Sequence, residues 1–108
     1  MARLKPLPVG STFAKRLRNA RLAKGLSQKA LGIQAGIDEF TASARVNQWE
    51  RGRHMPDMVM VEHLASVLGA PAPYFYARDE ALAAWILTFP KLTAAAKTRV
   101  VKAGGIKK

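Results

Sequence analysis

Between Ser27 and Gly52 the chain reads SQKALGIQAGIDEFTASARVNQWERG, and towards its end Ser43, Arg45, Asn47 and Gln48 form a polar surface free to touch another molecule. Arginine carries a rigid fork of donors, and asparagine and glutamine each carry a donor beside an acceptor. Those are the groups that match base edges: Arg45 could pair bidentately with guanine and Gln48 with adenine, each worth about 1–3 kcal/mol of discrimination. Just beyond, Arg51, Arg53 and His54 could donate to phosphates from a loop. Such contacts work only if the backbone holds them in register.

The local signals describe two short helices joined by a turn. Ser27 is a good N-cap, and Leu26 and Leu31 have the spacing of a hydrophobic staple. Leu31 and Ala35 share one face, Gly36 is placed to end the helix, and a span of roughly 28 to 35 follows. Gly32 sits inside that helix at a cost of about 1 kcal/mol against alanine, so another helix is expected to cross close by. In the second helix Val46 and Trp49 are apolar anchors at i, i+3, Ile37 precedes them, and Gly52 stops the run.

The residues Gly25-Leu26-Ser27-Gln28, Leu31, Ala35-Gly36-Ile37 and Glu50-Arg51-Gly52 resemble the phage-repressor type of helix-turn-helix, the Cro/repressor-like or XRE family, over about residues 11–76. The resemblance implies an all-α, lambda-repressor-like five-helix domain that binds DNA. It implies base-facing positions at Ser43, Ala44, Arg45 and Gln48 with Asn47 adjacent, and a phosphate contact from Gln28, with Lys29 beside it. It also implies that Arg21, on the apolar stripe of the first helix, pairs with Glu50 in a structural role outside the DNA site. The chain departs from the family spacing in one place. Unshifted, the helix-three anchors would fall on Ala42 and on Arg45, an implausible core residue; a shift of four puts them on Val46 and Trp49. A four-residue insertion at Asp38 to Thr41 is therefore expected, lengthening the turn or adding a turn to helix three. In the second case Thr41 adds a phosphate or methyl contact.

Charge supports a polyanionic partner. The 108 residues hold 18 Lys+Arg against 7 Asp+Glu, a formal net charge of +11. Residues 1–37 and 81–108 contain basic residues and no acid, a field that attracts nucleic acid at long range. The chain has no cysteine, so disulfides and thiolate metal sites are excluded and a reducing cytoplasm is the expected compartment. Its longest apolar run, Ala81 to Phe89, is too short to span a bilayer, and no apolar signal core opens the sequence. His54 and His63 have no metal-ligand spacing, and no nucleophile, base and carboxylate cluster at motif spacing, so no catalytic residue, metal or cofactor is expected.

The remaining segments read in order. Residues 1–10 form a basic arm, and Ser11 or Thr12 caps a first helix with Phe13, Leu17 and Ala20 inward and Lys15, Arg16, Arg18 and Lys24 outward. Asp57 caps a fourth helix with Val61, Leu64, Ala65 and Leu68 as its core face, and Tyr74 and Phe75 close the core of an 11–76 domain. A helical extension, 77–108, carries Leu82, Trp85, Ile86 and Phe89 as a stripe, serving intrachain packing or a dimer seam, with Thr93 capping a last helix. The expected function is a DNA-binding transcriptional regulator, a repressor by family habit. It would bind double-stranded DNA at a palindromic operator as a homodimer, with no small-molecule effector domain evident. The alternatives are an antitoxin-like or RNA-binding interaction module with a general basic surface, and a nucleoid protein without base preference.

Overall fold

The computed structural model describes residues 9–105. Its described residues form six α-helices, α1 (Val9–Ala23), α2 (Gln28–Gln34), α3 (Ala42–Glu50), α4 (Met58–Leu68), α5 (Glu80–Thr88) and α6 (Ala94–Ala103), with 3-10 turns at Ala72–Tyr76 and Phe89–Lys91. None is long and apolar enough to cross a membrane. The expected arm falls mostly outside the described residues. Its last two, Val9 and Gly10, are helical, so α1 starts before Ser11 and Thr12 and neither serves as its cap. Tertiary packing explains the early start, because Gly10 lies against the backbone of Gly52 at the end of α3, where a Cβ would meet a carbonyl oxygen at 3.8 Å.

Local chemistry sets the other boundaries. Ser27 Oγ accepts from the Ala30 N–H at 2.9 Å, Asp57 Oδ1 from Met60 at 2.8 Å, Asp79 Oδ1 from Leu82 at 2.8 Å and Thr93 Oγ1 from Ala96 at 3.1 Å. Each satisfies an N–H that the first helical turn leaves without a backbone acceptor. At the end of α3, Gly52 adopts φ +71°, Gly52 N–H donates to Trp49 O and Arg53 N–H to Gln48 O, a Schellman closure.

Phe13, Leu17, Leu31, Val46, Trp49, Val61, Leu64, Leu68 and Phe75 make one continuous core. Phe75 packs on Phe13 at 5.6 Å between ring centroids and on Tyr74 at 5.4 Å, so the aromatic turn closes the core as expected. Gly32 explains how α2 and α3 come so close: a Cβ there would stand 2.7 Å from the Ala42 Cβ and 3.0 Å from the Ala42 carbonyl oxygen. Ala42 therefore joins Val46 and Trp49 as a third buried anchor of α3.

Two arginines of α1 are buried, and only one was expected. Arg21 Nε and Nη2 donate to Glu50 Oε2 and Oε1 at 2.6 and 2.9 Å, while Nη1 donates to the Leu26 carbonyl at 2.9 Å. The side chains are 11% and 4% exposed, and the Glu50 hydrogen bond raises the Arg21 guanidinium above its ordinary value. Arg16, expected on the outer face, is 3% exposed. Its Nε and Nη2 donate to the Ala77 carbonyl at 3.0 and 2.8 Å and its Nη1 to Glu80 Oε2 at 3.0 Å, while Lys15 pairs with Glu80 from the surface. The chain that covers Arg16 lies more than sixty residues downstream, so no local pattern marks it as buried.

The extension is only partly packed. Ala83 is buried, and Ile86 and Leu87 lean on the core. Leu82 and Trp85 remain 51% and 42% exposed, and α6 buries no residue.

Substituting Gly32→Ala is expected to destabilise the fold by about 1–3 kcal/mol through overlap with Ala42, although alanine favours a helix by about 1 kcal/mol. Urea denaturation decides the sign, and a stabilised variant would mean the helices can separate freely. Glu50→Ala strands a buried guanidinium and is expected to cost about 3–5 kcal/mol, against about 1 kcal/mol or less for an exposed pair. An exposed-pair value in the same assay would show that Arg21 has a solvated alternative.

Candidate nucleic-acid interface

With Ala42, Val46 and Trp49 turned inward, the other side of α3 is left to solvent. Ser43, Ala44 and Arg45 are exposed, and Asn47 and Gln48 are half-buried beside them. Lys29 is exposed at the start of α2, and Arg51, Arg53 and His54 are exposed where the Schellman turn carries the chain away from α3. These base-reading and phosphate candidates lie on the helix-turn-helix unit and its flanking loop. The one acid in α3, Glu50, is turned inward and neutralised by Arg21.

Three candidates are engaged with other groups. The Arg45 guanidinium lies over the Trp49 ring, 5.3 Å from its centroid, an i, i+4 contact that covers the indole from solvent. Reaching a guanine requires the side chain to swing off that ring. Gln28 Nε2 donates to Glu50 Oε1 at 3.2 Å, which leaves one amide N–H for a phosphate. The Thr41 hydroxyl donates to Asp38 Oδ2 at 2.6 Å.

Asp38 organises the turn. Its Oδ1 accepts from the N–H groups of Phe40 and Thr41 at 3.0 and 3.2 Å, and Ala42 N–H donates to the Asp38 carbonyl at 3.0 Å. The Thr41 hydroxyl, then the backbone donors, hold the carboxyl below the usual carboxylate range. Residues 38–41 thus form a turn, and α3 starts only at Ala42.

One basic residue joins the site that the pattern of the first helix had left as general surface. Arg18 and Arg51 both line a shallow cleft of about 320 Å³ with Arg21, Gln28, Asn47 and Glu50. They also line an adjoining cleft of about 570 Å³ with Ser11, Lys15 and Asn19. The spacing of Arg18 from Arg21, one helical turn, is the signal that places it beside the end of α3. Because Arg21 is matched by Glu50, Arg18 and Arg51 supply the uncompensated charge of the smaller cleft, which suits an anion such as a backbone phosphate.

A family model for the helix-turn-helix domain matches residues 12–73. The crystal structure of the transcriptional regulator BswR superposes with a TM-score of 0.77 at 46% identity, covering 82% of this chain and 88% of that one. The restriction-modification controller protein C.AhdI from Aeromonas hydrophila superposes with a TM-score of 0.56 at 31% identity, covering 65% of this chain and all of that one. A sequence comparison with curated proteins finds no match. The match over more than half the chain, on the helices that present the exposed face of α3, shows that this chain belongs to the XRE-type helix-turn-helix family and is a DNA-binding transcriptional regulator.

Proposed function

We propose that the regulator binds as a homodimer to a palindromic operator in double-stranded DNA and acts as a cytoplasmic repressor. In this reading α3 enters the major groove, where Ser43, Ala44, Arg45, Asn47 and Gln48 meet base edges. Gln28, Lys29, Arg51, Arg53 and His54 hold the phosphates on either side, joined by Arg18 from α1, while Thr41, its hydroxyl held by Asp38, offers its methyl group. The observation that carries the reading is the exposed polar face of α3, flanked by basic side chains, with the only acid of that helix buried against Arg21. Arg45 resting on Trp49 suggests a stored conformer: the guanidinium covers the indole in the free protein and exchanges that contact for a base in the complex.

The dimer rests on a separate observation. Leu82 and Trp85 stand exposed on α5, Trp85 and Phe89 pack edge-to-face at 6.2 Å, and α6 runs on without burying a residue. An apolar surface of this kind, on an extension anchored to the domain through Arg16, suits a second copy of the same extension. The 77–108 segment is on this reading the dimerisation element, and 11–76 the DNA-binding unit.

Selection of random duplexes at about 150 mM salt is expected to enrich a palindrome. Arg45→Ala is expected to lose preference at one position in each half-site, at about 1–3 kcal/mol per contact, and to keep the remaining pattern. Affinity that falls equally for all duplexes as salt rises, with no enrichment, would instead leave a general polyanion binder. Sedimentation equilibrium is expected to give twice the chain mass for the native protein and a monomer for Trp85→Glu. A native monomer would reassign the Leu82 and Trp85 face to a different partner protein.

A further inference from the structure

The turn between α2 and α3 presents an apolar ring that nothing in the described chain covers. Phe40 is 89% exposed, the most exposed of the large hydrophobic side chains. Its position is nevertheless fixed, because Asp38 accepts from its N–H and from both the N–H and the hydroxyl of Thr41. The backbone that carries the ring is therefore held at a defined place immediately ahead of Ser43 and Ala44, where the exposed face of α3 begins.

The charge beside it narrows the choice of ligand. Asp38, Asp57 and Asp79 cap turns or helices, Glu50 pairs with Arg21, and Glu80 pairs with Lys15 and Arg16. Glu39 makes no ion pair among the described residues and sits next to Phe40. A tip carrying an unpaired carboxylate is repelled by a phosphate backbone, so it does not act as a phosphate clamp. What a phenyl ring finds in the major groove is the thymine C5-methyl group, the one apolar feature displayed on base edges there.

We propose that Phe40 is a specificity-determining residue that packs against a thymine methyl in the major groove, one step outside the bases met by α3. The inference rests on the reading of α3 as the base-contacting helix. It assigns the turn at residues 38–41 a reading role of its own. Phe40 supplies the contact, Asp38 holds it in place, and Glu39 keeps the tip off the phosphates.

The test uses the full chain, its Phe40→Ala and Phe40→Leu variants, and the duplex enriched by selection. A parallel set of duplexes replaces each thymine in turn with deoxyuracil, which deletes the methyl and keeps the pairing. By fluorescence anisotropy the native protein is expected to lose about 4-fold in affinity at one uracil in each half-site, the effect of one buried methyl. Phe40→Ala, which removes the contact from both half-sites of the dimer, is expected to bind the parent duplex about 16-fold more weakly and to be indifferent to uracil at that position, with Phe40→Leu retaining part of the response. Phe40 contacts no core residue, so equal thermal midpoints for the three proteins serve as the folding control. Native affinity and a native uracil profile in Phe40→Ala would overturn the inference and assign the ring to a protein partner. Indifference of the native protein to every uracil would overturn it equally. Failure to enrich any duplex would remove the DNA reading beneath it, a result distinct from an enriched duplex on which Phe40 is silent.

Discussion

The buried pair of Arg21 and Glu50 is the constraint on which the rest of the interface depends. It joins the last turn of α1 to the last turn of α3, and through the Leu26 carbonyl and the Gln28 amide it reaches the start of α2. Three helices are thereby locked around one carboxylate that is 4% exposed. Burying two charges is expensive, and such a pair fixes geometry more than it adds net stability. A DNA-binding surface needs that geometry, because base readout tolerates little error in how the helix is presented. The pair also removes the only negative charge of α3 from the exposed face. The Glu50 hydrogen bond also raises the Arg21 guanidinium above its already high ordinary value.

The first helix serves two ends of the molecule with one residue type. Arg21 organises the helix-turn-helix, and Arg16, five residues earlier, holds the Ala77 carbonyl and Glu80 at the start of the extension. Arginine suits both sites because several donors on a planar group can satisfy a carbonyl and a carboxylate together. α5 is thus tied to the domain at its N-terminal end by Arg16 and along its inner face by Ala83, Ile86 and Leu87, and α6 projects from it with little packing of its own. Two of the surfaces left unpacked are the polar face of α3 and the apolar face of α5. One fits nucleic acid and the other fits a protein surface.

Much of this fold was legible in the sequence because its boundaries are set by local chemistry. Ser27, Asp57 and Thr93 cap the helices they precede, and Gly36 and Gly52 take positive φ where helices stop. The anchors Val46 and Trp49 followed from their spacing, and the close approach at Gly32 from the cost of glycine inside a helix. What stayed hidden was of two kinds. Arg16 could not be placed, since its acceptors come from residues 77–80, and the start of α1 depends on contact with Gly52. Arg45 on Trp49 and Thr41 on Asp38 are local pairs at i, i+4 and i, i+3, visible in principle. Residue type alone leaves them free to meet DNA, because it shows what a side chain can bond and not what it already bonds. The pair of Arg21 and Glu50 came from the family resemblance, and its geometry agrees.

The most direct measurement is a titration of the isotopically labelled full chain with its selected duplex, followed by nuclear magnetic resonance. The structure predicts the largest shifts at Gln28 and Lys29, from Ser43 to Gln48 and from Arg51 to His54. It also predicts movement of the Trp49 indole signal as Arg45 leaves the ring for a base. Shifts confined to α5 and α6, with α3 and the Trp49 indole unchanged, would contradict the assignment of α3 as the surface that meets DNA.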